Sequence, residues 1–183
     1  MRSLYAVAAT LALAGCASGY LLQMQAPEFE LSGRFAVQYG KEAASGNLDW
    51  RHGADDDELL LSSPLGQGLA RIVRTGPAVV LTTSDGRELR AADAESLTEQ
   101  ALGFRLPLAG LADWVRGRPA PQPPPTSRRD GAGGRLAELE QSGWKIAYLE
   151  YDETGPSPRP SRLRLTYPGL ELRVAISAWK RGP

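Results

Sequence analysis

Apolar and polar residues alternate from Phe29 onward. Phe29, Leu31, Gly33, Phe35, Val37 and Tyr39 fall on one face; Glu30, Ser32, Arg34 and Gln38 fall on the other, broken only by Ala36. A period of two predicts a long strand with one buried face. A reversal over 40–46 follows, and then a strand that sets Leu48 and Trp50 against Asn47, Asp49 and Arg51. His52-Gly53-Ala54-Asp55-Asp56-Asp57 reads as a polar turn, with solvated carboxylates and a surface histidine. Leu59 and Leu61 mark the next strand, and Ser63-Pro64-Leu65-Gly66-Gln67-Gly68 the next turn. Strands over 69–75, 79–83 and 87–92 follow, broken at Gly76-Pro77 and at Ser84-Asp85-Gly86, a strong hairpin signal. Reversals roughly ten residues apart make an antiparallel meander.

The period then changes. Asp93 can cap a helix over 94–102, which Gly103 ends. Pro107 opens a second helix with Leu108, Leu111 and Val115 on one side and Trp114 beside them; Gly117 stops it. Residues 119–125 are proline-rich and 127–134 polar, so this stretch reads as a flexible loop; its PxxP spacing is weak evidence for an SH3-type ligand. Strand patterns resume over 135–141, 144–151, 162–167 and 170–179, with reversals at Ser142-Gly143 and Pro168-Gly169. The prediction is a mainly β fold: an antiparallel, open half-barrel of ten or eleven strands, with a short helical lid inserted at 93–117.

A sheet with one apolar face must cover it. Two short helices are little cover for ten strands. Two outcomes fit the pattern: a partly open barrel with an apolar lumen under a helical lid, or a tightly closed sheet with an ordinary core. Leu65 stands out, because hairpin tips run over the surface and are normally polar. It either folds back on the core or projects. A projecting leucine gains roughly 1.5–3 kcal/mol on burial, enough for transient contact and too little for anchoring.

Composition narrows the function. A chain of 183 residues suits one domain. Hydrophobic residues at 42% and charged residues at 23% exclude a disordered chain, a coiled coil and a polytopic membrane protein. Lys+Arg and Asp+Glu are both 21, so no basic excess supports nucleic-acid binding. One Cys rules out an internal disulfide or thiolate cluster, and one His leaves few routes to general-base catalysis. Gly-x-Ser-x-Gly, phosphate-loop, HExxH and dinucleotide patterns are all missing. Asp55-Asp56-Asp57-Glu58 lacks the spaced ligands of a calcium loop, and Asp152-Glu153 sits in a Gly/Pro-rich turn where solvation accounts for it. Neither enzyme activity nor a cofactor is expected.

The N-terminus reads as a targeting segment. Arg2 precedes an apolar run over 4–14, too short to span a bilayer, and small residues follow, as in a secretory signal peptide. Leu13-Ala14-Gly15-Cys16 resembles the lipobox of bacterial lipoproteins. That resemblance makes 1–15 the signal, Cys16 the lipid-attachment site and 16–27 a tether to a domain over 28–183. Stable anchoring takes two or more acyl chains. Ala17 follows the cysteine; an Asp there is the usual inner-membrane retention signal in such lipoproteins, so Ala17 points to the outer membrane.

Several segments match a family in order and spacing over 29–179: Gly33-Arg34-Phe35-Ala36-Val37, Leu48-x-Trp50, Ser63-Pro64-Leu65-Gly66, Leu106-Pro107-Leu108 with Leu111, Trp114-Val115-x-Gly117-x-Pro119, Gln141-x-Gly143-Trp144 and a last strand ending at Trp179. Together they resemble the LolB family of outer-membrane lipoproteins. The resemblance implies a half-barrel closed by helices around a cavity for acyl chains. It implies a projecting, membrane-inserting Leu65. The implied partners are a periplasmic carrier of the LolA type, the acyl chains of lipoprotein cargo and the inner leaflet of the outer membrane; a monomer is expected. Candidate cavity contacts, chosen by alternation and helix face, are Phe35, Val37, Leu48, Trp50, Leu59, Leu61, Ile72, Leu81 and Trp114, each of which fits plain core equally well. Trp144 and Trp179 read as core. One departure stands out: the family carries a longer stretch, with a helix, between the acylated cysteine and the first strand. If affinity for acyl chains rises from carrier to receptor to membrane, no ATP site is needed. A lipoprotein binding another hydrophobic ligand, or a structural lipoprotein using its open sheet edge, are the alternatives.

Overall fold

The computed structural model describes residues 27–102 and 105–181. Cys16, the signal and all of the tether but Pro27 lie outside them. The elements run β1 (Phe29–Tyr39), β2 (Glu42–His52), β3 (Asp56–Ser62), β4 (Gly68–Thr75), β5 (Ala78–Thr83), β6 (Glu88–Ala91), α1 (Ala94–Leu102), α2 (Leu108–Val115), β7 (Ser127–Asp130), β8 (Leu136–Gln141), β9 (Trp144–Asp152), β10 (Arg159–Tyr167) and β11 (Leu170–Arg181). The strands form one eleven-stranded antiparallel sheet ordered β6-β5-β4-β3-β2-β1-β11-β10-β9-β8-β7. Two meanders, β1–β6 and β7–β11, are joined where the first strand pairs with the last. The sheet stays open, with β6 and β7 as free edges, and the chain carrying α1 and α2 leads from one edge to the other.

Register explains the alternation. Leu31 pairs with Trp50, Trp50 with Leu59, Leu59 with Ile72, Ile72 with Leu81 and Leu81 with Leu89, one inward row across six strands. In the other half Leu172 faces Leu165, Leu165 faces Ile146 and Ile146 faces Leu139. These rows bury against Leu97 of α1 and Leu108, Leu111 and Trp114 of α2 in one core cluster. At the junction the β1–β11 register shifts between Ser32 and Gly33, and the backbones close in. A Cβ at Gly33 would stand 2.3 Å from the Ala175 carbonyl oxygen, so only glycine fits there.

Four expectations are corrected. The reversal over 40–46 is a two-residue turn at Gly40-Lys41, with β2 already begun at Glu42; Gly40 at φ +58° supplies the tight left-handed bend. The loop over 127–134 holds edge strand β7, which pairs with β8 and shows no alternation because all four of its residues are exposed. Asp57 is in β3, not a solvated tip, and is 2% exposed. His52 is buried rather than superficial. The cause of both lies in their partners: Asp57 accepts hydrogen bonds from Trp50 Nε1 (2.9 Å), His52 Nδ1 (2.6 Å) and Arg74 Nε (2.5 Å). A buried carboxylate persists when it is paired and hydrogen-bonded.

Candidate functional site

Antiparallel connectivity sorts the turns between two ends of the sheet. Turns β1–β2, β3–β4, β5–β6, β8–β9 and β10–β11 share one end, here the mouth end. The start of β1 and turns β2–β3, β4–β5 and β9–β10 share the other.

All nine apolar candidates belong to one concave cluster, at two depths. Leu48, Trp50, Leu59, Ile72, Leu81 and Trp114 are close-packed and buried. Phe35, Val37 and Leu61 are only partly buried, and all three lie on the mouth-end halves of their strands, beside the equally half-buried Ala70 of β4. The apolar face therefore opens toward the mouth end along β1, β3 and β4, while in the other half Trp114 of α2 covers it against the buried Gln141 and Trp144. Surface hollows, such as one of 480 Å³ between Leu60, Leu69 and Arg71, lie on the convex side. Of the two tryptophans read as core, Trp144 is 2% exposed, and Trp179 is partly buried against the cluster.

Trp114 is held by a residue that alternation alone passes over. Gln141, fully buried at the end of β8, accepts from Trp114 Nε1 at 2.8 Å and from the Ala120 amide at 2.9 Å. Its Nε2 donates to the carbonyls of Ala120 (2.8 Å) and Pro123 (2.5 Å). One amide thus fixes α2 and the proline-rich segment to the sheet. The signal was its parity: a polar residue two positions from Leu139, on the inward row. Tyr148 adds a bond from its hydroxyl to the Trp114 carbonyl at 3.0 Å, and burial pushes its phenol well above the ordinary tyrosine range. Burial likewise raises Tyr151 to about 12. At the far end Arg116, just after α2, joins Asp113 (3.0 Å) to Glu28 before β1 (2.8 Å) and lies over the Phe29 ring.

Leu65 projects. It is 98% exposed, and the turn that carries it is closed by backbone bonds from Ser63 N to Gln67 O (2.7 Å) and from Gly66 N to Ser63 O (2.8 Å). Asn47 Nδ2 ties the Ser63 carbonyl to β2 at 2.9 Å, and Gly66 takes φ +86°. The leucine is held away from the core by a stiff turn. It does not fold back.

Comparisons with known proteins fall on this architecture. The family model described as outer membrane lipoprotein LolB matches residues 27–179. The chain is 42% identical over 158 residues to the outer-membrane lipoprotein LolB of Thiobacillus denitrificans, covering 86% of this chain and 83% of the relative. It is 36% identical to that of Chromobacterium violaceum, covering 98% of this chain and 99% of the relative. Among solved structures, a DUF1329 family protein from Desulfovibrio piger shares the fold, with a TM-score of 0.54 at 8% identity over 87% of this chain and 88% of that one. A match over all eleven strands but the last two residues of β11, with relatives matched over most of their own length, places the chain in the outer-membrane lipoprotein LolB family, whose members act in lipoprotein localisation.

Proposed function

We propose that the chain takes acylated lipoproteins from a periplasmic carrier of the LolA type, holds their acyl chains against the concave face, and releases them into the inner leaflet of the outer membrane beside Leu65. The observation that carries this is a leucine 98% exposed on a stiff turn, at the end where the apolar face opens at Phe35, Val37 and Leu61. The work is physical. Each methylene removed from water contributes about 0.8 kcal/mol, so a lipoprotein's chains move only between sites that shield them. Phe35, Val37 and Leu61 are the first surface such chains meet. The six buried candidates become contacts when Trp114 and α2 yield, which makes α2 the lid.

Cleavage before Cys16 would leave an acylated anchor on a tether over 16–27. Pro27 stands at the end of the sheet opposite Leu65. Eleven residues of β1 span about 36 Å. Twelve extended tether residues reach about 40 Å, long enough for anchor and mouth to engage one leaflet.

The test is transfer of a lipoprotein from a loaded carrier to liposomes, comparing the wild type with Leu65→Glu. Support is transfer by the wild type together with a variant that accepts cargo but fails to release it into liposomes. Equal transfer by both would return Leu65 to a passive surface position. No transfer by the wild type would overturn the receptor reading.

A further inference from the structure

Six large hydrophobic residues are exposed among the described residues, and they are unevenly placed. Leu60 and Leu149 lie within strands β3 and β9. Tyr39, Leu65, Leu69 and Tyr167 all lie at the mouth end. Tyr39 closes β1 and Tyr167 closes β10, and both are register partners of Leu170, the first residue of β11. The two rings therefore stand on adjoining turns.

Each ring lies over a turn glycine, tightly for Tyr167 and at ordinary contact distance for Tyr39. A Cβ at Gly143 would come within 3.1 Å of the Tyr167 ring, and one at Gly169 within 3.9 Å of the Tyr39 ring. Tyr167 also packs on Trp144 with centroids 5.2 Å apart. Each tyrosine keeps 39% of its surface exposed, so the rings are partly fixed and still face outward.

Charge divides the molecule in the same sense. The mouth-end turns over 40–41, 63–67, 84–87, 142–143 and 168–169 contain only Lys41, Asp85 and Arg87 as charged residues. Asp85 and Arg87 pair with each other at 2.7 Å; at the adjoining strand ends Glu42 opens β2 next to Lys41, and Glu88 opens β6 paired with Arg90. The opposite end carries Asp55, Asp93, Glu153 and Arg135 in its turns and Asp56, Asp130, Asp152, Arg159 and Arg181 at its strand ends, an acidic excess. The opposite end is the more acidic of the two, so an anionic lipid surface repels it more strongly than the mouth end.

We infer that the mouth end is a docking face for the lipid–water interface of a phospholipid bilayer, with Tyr39 and Tyr167 as interfacial anchors flanking the Leu65 turn and Lys41 meeting lipid phosphates. The ring of tyrosine suits this place, having an apolar body and a hydroxyl that stays among headgroups. The leucine supplies depth and the tyrosines set the pose. The inference rests on the proposed delivery of acyl chains at this end, and extends it from one turn to a rim that runs from β10 to β4.

The test uses the full chain carrying Cys16→Ala, so that no acyl anchor contributes, and vesicles of phosphatidylethanolamine and phosphatidylglycerol. Vesicle co-sedimentation is compared for this protein, Tyr39→Ser/Tyr167→Ser and Tyr39→Trp/Tyr167→Trp, with thermal unfolding as the check on folding. The serine pair is expected to lower partitioning roughly tenfold, about 1.4 kcal/mol, at an unchanged unfolding midpoint. The tryptophan pair is expected to restore it, with indole emission quenched by brominated lipid. Unchanged partitioning of the serine pair overturns the docking face and leaves the receptor reading intact. Intact partitioning with lost uptake of cargo from the loaded carrier also overturns it, in favour of a protein contact. Wild-type partitioning without any cargo uptake overturns the receptor reading alone.

Discussion

Replacing Gln141 by leucine removes four hydrogen bonds while keeping the side-chain size. The residue has no exposed surface, and three of the four partner groups belong to buried residues, Trp114 and Ala120. At about 1 kcal/mol net for each bond the loss is about 4 kcal/mol. The leucine recovers part of it through its own transfer from water, so about 2–4 kcal/mol remains. At about 2–4 °C per kcal/mol for a domain of this size, the unfolding midpoint should fall by about 5–15 °C. Circular dichroism on heating measures the loss, and tryptophan fluorescence reports the environment of Trp114 and Trp144, whose rings lie 6.2 Å apart. Gln141→Glu discriminates further. Its oxygens still accept from Trp114 and the Ala120 amide, but at neutral pH they confront the carbonyls of Ala120 and Pro123. It should be worse than leucine at pH 7 and recover on acidification, since a carboxyl raised in the fold stabilises below its unfolded pKa and loses that contribution as pH rises. A Gln141→Leu midpoint within 1 °C of the wild type would refute the argument that this amide holds α2 to the sheet.

Other expectations follow the same reasoning. Asp57→Ala should cost about 3–5 kcal/mol in urea unfolding, because it strands Arg74 and leaves Trp50 and His52 without their acceptor. Leu65→Glu should leave stability within about 0.5 kcal/mol of the wild type, since the side chain packs on nothing, so its transfer defect cannot be a folding defect. The phenols of Tyr148 and Tyr151 are raised by burial, Tyr151 to about 12. Their neutral forms stabilise the fold fully below pH 10, the unfolded value, and the contribution declines as pH climbs from there through the folded values. Alkaline titration followed at 295 nm should show two late phenols that ionise with unfolding, and Tyr148→Phe should remove one.

The amino-acid sequence by itself determined the strands, because alternation registers directly which side of a pleated strand meets water. From Phe29 to Val37 the inward row was legible, and so were the Asp93 cap and the Pro107 start of the helices; in β11 a register shift between Ile176 and Ala178 puts Trp179 inward off the period of two. The same parity also placed the strand candidates on one face. It was silent where both faces share one environment, which is why edge strand β7 read as loop. It also misjudged Asp57 and His52, since a polar run near a turn looks solvated until cross-strand partners bring Trp50 and Arg74 against it. Only the tertiary structure decided that the two meanders join through β1 and β11 in one sheet left open at β6 and β7, that α2 fills the concave face, and that nine apolar candidates divide into a packed floor and a half-open mouth. Whether Leu65 folds back or projects was equally beyond a local pattern. It depends on how a five-residue turn bonds to itself and to Asn47, a relation between strands rather than along one.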